Sequence, residues 1–233
     1  MPKKPENTTE VFEKLSGLYN SLTESEKKEF RENLTIQEYK KNEVIYHEGD
    51  QPQHLLCLLS GKVKVYKAGV GGRSQTMRLY KPVEYFGYRA YMANEKFLTT
   101  AAAFERTVVA KIPLELLVKF IRNNNTLAWF IIQSLAKLLG MSDERTVNLT
   151  QKHIRGRLAE SLLFLKESYG LEEDGCTLSI YLSREDLANL SNMTTSNAIR
   201  TLSGFAAEKI VAIDGKKIKL INEAELEKIS KMG

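Results

Sequence analysis

The chain has 233 residues, enough for two domains that each bury their own core. With 42% apolar and 27% charged residues its composition is that of an ordinary globular protein, and it has no apolar run near the roughly 20 residues needed to cross a bilayer. The formal charge of +5 hints at a polyanionic partner, yet residues 1–125 hold 20 basic against 15 acidic side chains and residues 151–233 hold 12 of each, so bulk charge does not mark a nucleic-acid-binding half. The polar start, Met1 to Glu10, lacks a signal-peptide core, which makes the cytoplasm the expected location. Cys57 and Cys176 lie far apart in apolar, strand-like runs, so reduced thiols are expected rather than a disulfide or a metal clip.

Val11 to Phe30 carries two short amphipathic helical patterns, the second opened by the capping box Thr23-Glu24-Ser25-Glu26. From Thr35 the period changes. Short β-rich runs stand at Glu43–His47, Leu55–Leu59, Val63–Tyr66, Thr76–Tyr80, Thr99–Phe104 and Thr107–Ile112, with Gly49, Gly61, Gly69, Gly71, Gly72 and Pro82 at the corners. Strands this short at such spacing describe a small barrel or sandwich.

Helical periodicity returns at Pro113-Leu114, and the longest helix runs from Thr126 to about Leu149. Along it Ala128, Ile131, Leu135, Leu138, Ser142, Arg145 and Leu149 recur at alternating steps of three and four, a coiled-coil seam expected to face a second copy of the chain, the alternative being that this stripe packs on the barrel. Leu127, Trp129, Phe130, Ile132 and Leu139 keep other sides apolar, as expected of a helix that also covers the barrel. The polar Thr150-Gln151-Lys152 reads as a hinge before an amphipathic helix, Ile154 to Tyr169, with Leu158, Leu162 and Leu165 inward.

The stretch from Leu182 to Ile221 has the pattern of a winged helix-turn-helix. Ser183 and Asp186 box the start of a helix ending near Leu190, Asn192 sits where the turn needs left-handed backbone, and Thr194 caps a second helix. In that helix Ala198, Leu202, Phe205 and Ala206 share one face and can pack on Leu187 and Leu190, while Ser196, Arg200 and Ser203 share the other. Ile210 to Ile213, a turn at Asp214-Gly215, and Lys217 to Leu220 then alternate as a two-stranded wing. Small polar side chains and one arginine suit a surface that enters a groove about 12 Å wide. Arg200 is the candidate base reader, since its fork matches guanine O6 and N7. Thr194, Thr195, Ser196, Asn197 and Ser203 can reach bases or phosphates, and Arg184, Lys216, Lys217 and Lys219 can supply phosphate contacts. No carboxylate pair, nucleophile and base, phosphate loop or metal-ligand spacing stands out, so the chain is read as a non-enzyme.

Barrel, long helix and winged helix-turn-helix in this order resemble the Crp/Fnr family of bacterial transcription regulators. The likeness rests on Tyr39 to Asp50, Leu59-Ser60-Gly61-Lys62-Val63, Tyr85-Phe86-Gly87, Gly156-Arg157-Leu158-Ala159 and Leu182 to Leu202. It implies an α+β protein with three parts: an N-terminal double-stranded β-helix sensor, cupin-like and cyclic-nucleotide-binding-like, over residues 1–125; a long dimerisation helix over 126–150; and a C-terminal winged helix-turn-helix over 151–233. It further implies a homodimer through Ile131, Leu135, Leu138, Ser142 and Leu149 that binds palindromic double-stranded DNA, with RNA polymerase as a candidate partner and no membrane.

The sensor departs from the cyclic-nucleotide type. Members that bind cyclic nucleotides resemble Phe-Gly-Glu followed some ten residues later by Arg-Ser or Arg-Thr, where this chain has Phe86-Gly87-Tyr88 and Leu98-Thr99. A buried phosphodiester without its cation is costly, so cAMP in the usual pose is not expected. Gly87, Tyr88, Leu98, Thr99, Thr100 and Ser142 are taken as the pocket for an unidentified small-molecule effector. Two distant cysteines cannot hold an iron-sulfur cluster, and His47, His54 and His153 are lone histidines, so haem is not the expected cofactor. In the reading helix the family commonly has Arg and Glu where Thr195 and Ser196 stand, so Arg200 transfers but an operator sequence does not. The alternative is a small-molecule or haem receptor that acts through a protein partner, its DNA-binding domain vestigial.

Overall fold

Two four-stranded antiparallel sheets close over an apolar interior in the computed structural model, which describes residues 15–69 and 72–233. The first sheet has strand order β1-β8-β3-β6, from β1 (Thr35–Tyr39), β3 (His54–Ser60), β6 (Tyr85–Phe86) and β8 (Thr107–Pro113). The second has order β2-β7-β4-β5, from β2 (Val44–Tyr46), β4 (Val63–Ala68), β5 (Ser74–Tyr80) and β7 (Thr100–Ala103). The two-residue period of a strand explains the sequence of β3. Leu56 and Leu58 point into the barrel with Tyr39, Val63, Val65, Phe86, Ala101, Ala103 and Val109. Leu55, Cys57 and Leu59 point the other way, into a helical layer. Both faces of β3 are therefore buried, which is why its sequence is a continuous apolar run.

That outer layer contains α1 (Ser16–Tyr19), α2 (Glu24–Asn33), α3 (Tyr88–Met92), α4 (Leu114–Asn123) and the first half of α5 (Asn125–Gln151). The expected capping box is present on α2: the Thr23 hydroxyl accepts the Glu26 amide while the Glu26 carboxylate accepts the Thr23 amide at 2.8 Å. Of the expected first N-terminal helix, residues 11–14 lie outside the described residues. Gly61 turns β3 into β4 at φ +84°, and a Cβ there would lie 2.4 Å from the Arg106 carbonyl, so no other residue fits. Strands β1 and β6 were not among the expected runs, because Thr-Ile-Gln-Glu-Tyr and a two-residue strand leave almost no alternation to read.

Among the described residues, those up to Lys67 and from Met77 to Gly140 form one compact unit, and the remainder form a second. In the second, α6 (Ile154–Tyr169), α7 (Arg184–Leu190), α8 (Thr195–Ala207) and α9 (Glu223–Met232) pack with the hairpin β9 (Val211–Asp214) and β10 (Lys217–Leu220). Leu158, Leu162, Leu165, Leu187, Leu190, Ala198, Leu202, Phe205, Ile218 and Leu226 are all buried there. The wing has a third arm: Thr177 bridges Lys219, and the Leu178 and Leu220 amides donate to the Ile218 and Cys176 carbonyls.

Two expectations about α5 change. The helix runs to Gln151, so of the expected hinge Thr150-Gln151-Lys152 only Lys152 lies in the break, together with His153. That break is heavily bridged: Lys152 pairs with Glu160 at 2.7 Å, Arg157 donates to the Leu149 carbonyl, the Asn148 amide bonds to Glu160, and the His153 amide donates to the Gly233 carbonyl at 2.7 Å. Part of the seam expected to face a second copy packs within the chain instead. Ile131 is 5% exposed and belongs to the helical-layer core, with Leu135 and Leu138 packed against it. Ser142 is exposed and Leu149 half-buried, while Arg145 donates to the Thr76 and Leu190 carbonyls. The side of α5 left open carries Trp129, Ile132, Ala136 and Leu139. Two apolar stripes run along this helix, and the sequence pattern alone could not say which of them the barrel takes.

Candidate DNA interface and sensor site

The helix-turn-helix is held by side-chain caps at both starts. The Ser183 hydroxyl accepts the Asp186 amide at 3.0 Å and donates to the Asp186 carboxylate at 2.6 Å. Asn192 takes φ +49° in the turn, as its side chain tolerates, and the Thr194 hydroxyl accepts the Asn197 amide at 3.2 Å to open α8. The Ser191 hydroxyl beneath the turn is buried and meets that of Ser161 on α6 at 2.8 Å, tying the motif to its supporting helix. Ala198, Leu202 and Phe205 form the inner face of α8, with Ala206 half-buried at its edge.

On the outer face Thr194, Thr195, Ser196, Arg200 and Ser203 are exposed and Asn197 is half-buried. The Arg200 guanidinium donates to Asn197 Oδ1 at 2.7 Å, which steadies the fork while leaving its remaining donors open. Arg184, at the start of α7, donates to the Gly215 carbonyl at 2.8 Å and so ties the wing turn to the helix pair. The wing lysines are less open than the sequence implied. Lys217 lies 3.6 Å from Glu172 and against the Tyr181 ring, and Lys219 lies 3.2 Å from Asp174; Lys216 is exposed. Asp174 accepts the Thr177 hydroxyl and the Thr177 and Cys176 amides, and these bonds, with Lys219, hold its carboxyl far below the usual range. Sequence reading missed Glu172 and Asp174 because their pairing with the wing depends on the third arm.

The sensor residues are spread among separate duties. Gly87 takes φ +86° to start α3, and the Tyr88 ring is buried. The Thr100 hydroxyl accepts the Glu48 amide at 3.1 Å. The Leu98 side chain is exposed, where a cyclic-nucleotide site would need a guanidinium, and the Leu98 carbonyl takes the Lys67 ammonium at 3.1 Å. Ser142 belongs to the second compact unit. Aromatic rings stack here: Tyr46 on Phe97 at 3.7 Å and Tyr80 on Phe86 at 5.0 Å, and burial pushes the Tyr46 phenol up to about 12. The Thr100 oxygen is thus occupied as an acceptor, and Tyr88 and Leu98 stand where a cyclic nucleotide would need a carboxylate and a guanidinium. Cys57 is buried and free, Cys176 is free and half-exposed, and no three His, Cys, Asp or Glu side chains gather at a metal-binding distance among the described residues.

Residues 36–124 match the model of the cyclic nucleotide-binding domain, and residues 156–229 match that of the Crp-like helix-turn-helix domain, in the order the barrel and the winged motif occupy. The chain belongs to the Crp/Fnr family. A Crp/Fnr relative, the global nitrogen regulator of Synechococcus elongatus, is 24% identical over 83% of this chain and 88% of its own. The cyclic AMP receptor protein of Thermus thermophilus is 26% identical over 82% of this chain and 86% of its own. The structure of FixK2 from Bradyrhizobium japonicum shares the fold with a TM-score of 0.76, at 23% identity, covering 84% of this chain and 96% of that one. As a Crp/Fnr transcription regulator the protein is a DNA-binding molecule and not an enzyme, with a cyclic-nucleotide-binding-type sensor domain ahead of its helix-turn-helix. No helix among the described residues is long and apolar enough to cross a membrane.

Proposed function

We propose that the protein is a cytoplasmic homodimer that binds a palindromic operator through the outer face of α8, under control of a signal other than cAMP received at the barrel. The observation that carries this reading is that face: a capped, buried-backed helix whose exposed side presents Thr195, Ser196, Arg200 and Ser203. Arg200 reads a guanine, the hydroxyls and the helix N-terminus take phosphates, and Lys216 adds a wing contact. The second copy sits against the open stripe of α5. Trp129, Ile132 and Leu139 are 60%, 54% and 63% exposed, and with Ala136 they follow steps of three, four and three, the spacing of a coiled-coil seam. Double-stranded DNA, a second copy of the chain and RNA polymerase are the partners. The signal acts by favouring one of two arrangements of the reading heads, and its effect is bounded by its difference in affinity for them.

Salt-titrated binding of the full chain to genomic fragments tests this. The expected result is a tightly bound fraction sharing an inverted repeat, with affinity falling steeply as salt rises. Weak binding with no shared sequence would instead support a receptor that works through a protein partner.

A further inference from the structure

We propose that Ile199 reads the C5-methyl group of a thymine beside the base that Arg200 reads. Ile199 is 46% exposed in the middle of α8, one turn from Thr195 and one turn from Ser203, next in sequence to Arg200. Its neighbours Thr194, Thr195, Ser196, Arg200 and Ser203 are all polar and exposed, so the isoleucine is the apolar element of a surface that is otherwise hydroxyls and one guanidinium. Single exposed aliphatic side chains are ordinary on proteins, but two physical points set this one apart. Isoleucine is a poorer helix former than the residues that usually fill solvated helix positions, so the helix itself does not ask for it. Its β-branch also fixes χ1 within a helix, which gives a rigid apolar knob that loses little freedom on contact. The major groove offers one apolar feature to such a knob, the thymine C5-methyl, and 5-methylcytosine carries the same group at the same place.

The inference rests on the DNA-reading role of α8. It predicts a thymine within one or two base pairs of the guanine contacted by Arg200 in each half-site. Removing one methyl contact of this kind weakens binding about fourfold, the fold-change that corresponds to one buried methylene-sized group, and about fifteenfold when both half-sites lose it.

The test uses the full chain and an operator selected from random duplexes, with each thymine replaced in turn by uracil. The wild type is expected to lose about fourfold at one thymine per half-site and to regain it when 5-methylcytosine is paired with guanine in place of the uracil pair. Ile199→Ala is expected to bind the thymine and uracil operators equally, and Ile199→Val to keep most of the discrimination. Position 199 is exposed, so circular dichroism melts of these variants should match the wild type. Indifference of the wild type to every operator methyl, or undiminished discrimination in Ile199→Ala, overturns the assignment while leaving the regulator reading intact. Failure to select any operator overturns both.

Discussion

Ile131 and Ile132 are neighbours in sequence on α5 with opposite environments, 5% and 54% exposed, and truncating each to alanine separates the two stripes of that helix. Ile131 lies in the core shared with Leu117, Phe120 and Leu127, so Ile131→Ala removes buried side-chain atoms and leaves a cavity, at a cost of about 2 to 5 kcal/mol. At roughly 2 to 4 °C per kcal/mol for a chain of this size, the melting temperature falls by roughly 4 to 20 °C. Ile132→Ala removes little that the single chain buries. If the open half of the side chain is covered by a second copy, it contributes about 1 kcal/mol per copy and about 2 kcal/mol per dimer, or about thirtyfold in the dimer dissociation constant. Sedimentation equilibrium reads the association, and thermal melting at a concentration below dimerisation reads the single chain. The reasoning is refuted if Ile131→Ala dissociates the dimer without lowering the melting temperature, or if Ile132→Ala lowers the monomer's melting temperature and leaves association unchanged.

Arg200→Ala is expected to cost about 1 to 3 kcal/mol at the operator and to relax one base position, whereas Lys217→Ala, its ammonium already beside Glu172, should cost well under 1 kcal/mol on specific and random DNA alike, as fluorescence anisotropy on both duplexes would show. Thiol titration should find Cys176 reacting in the native protein and Cys57 only after denaturant, because Cys57 is fully buried and its thiol is pushed up to about 12 by burial. Burial and the Lys111 charge hold His54 below its ordinary value, so its contribution is complete above about pH 6.5 and is lost as pH falls from there toward the lower folded value; His54→Gln should flatten that part of the stability profile measured by urea melts. Two rapidly reacting thiols, or identical profiles for wild type and His54→Gln, would count against these environments.

The helix-turn-helix was legible because its signals are local: Ser183, Asn192 and Thr194 do in the structure what their residue types favour, and the faces of α8 divide as the 3.6-residue period requires. Most barrel strands were legible for the same reason. What escaped depended on contacts distant in sequence. Which α5 stripe meets the barrel is decided by the fit of Ile131 and Leu127 into a core with members on α1, α2, α3, α4, β3 and β8. The Thr100 hydroxyl, on a strand distant in sequence, accepts the Glu48 amide, a pairing that no local pattern shows. Ile199 was overlooked for the opposite reason: an apolar residue off the helix stripe reads as noise until its exposure among the polar readers is known.

The most direct test of the DNA-reading claim is protection of guanine N7 from dimethyl sulfate on a selected operator, since that atom lies in the major groove where the Arg200 fork would sit. Wild-type protein should protect one guanine in each half-site, the two about one helical turn apart, and Arg200→Ala should lose that protection while still binding more weakly. Guanines that stay reactive under bound wild type, or protection that survives in Arg200→Ala, would contradict it.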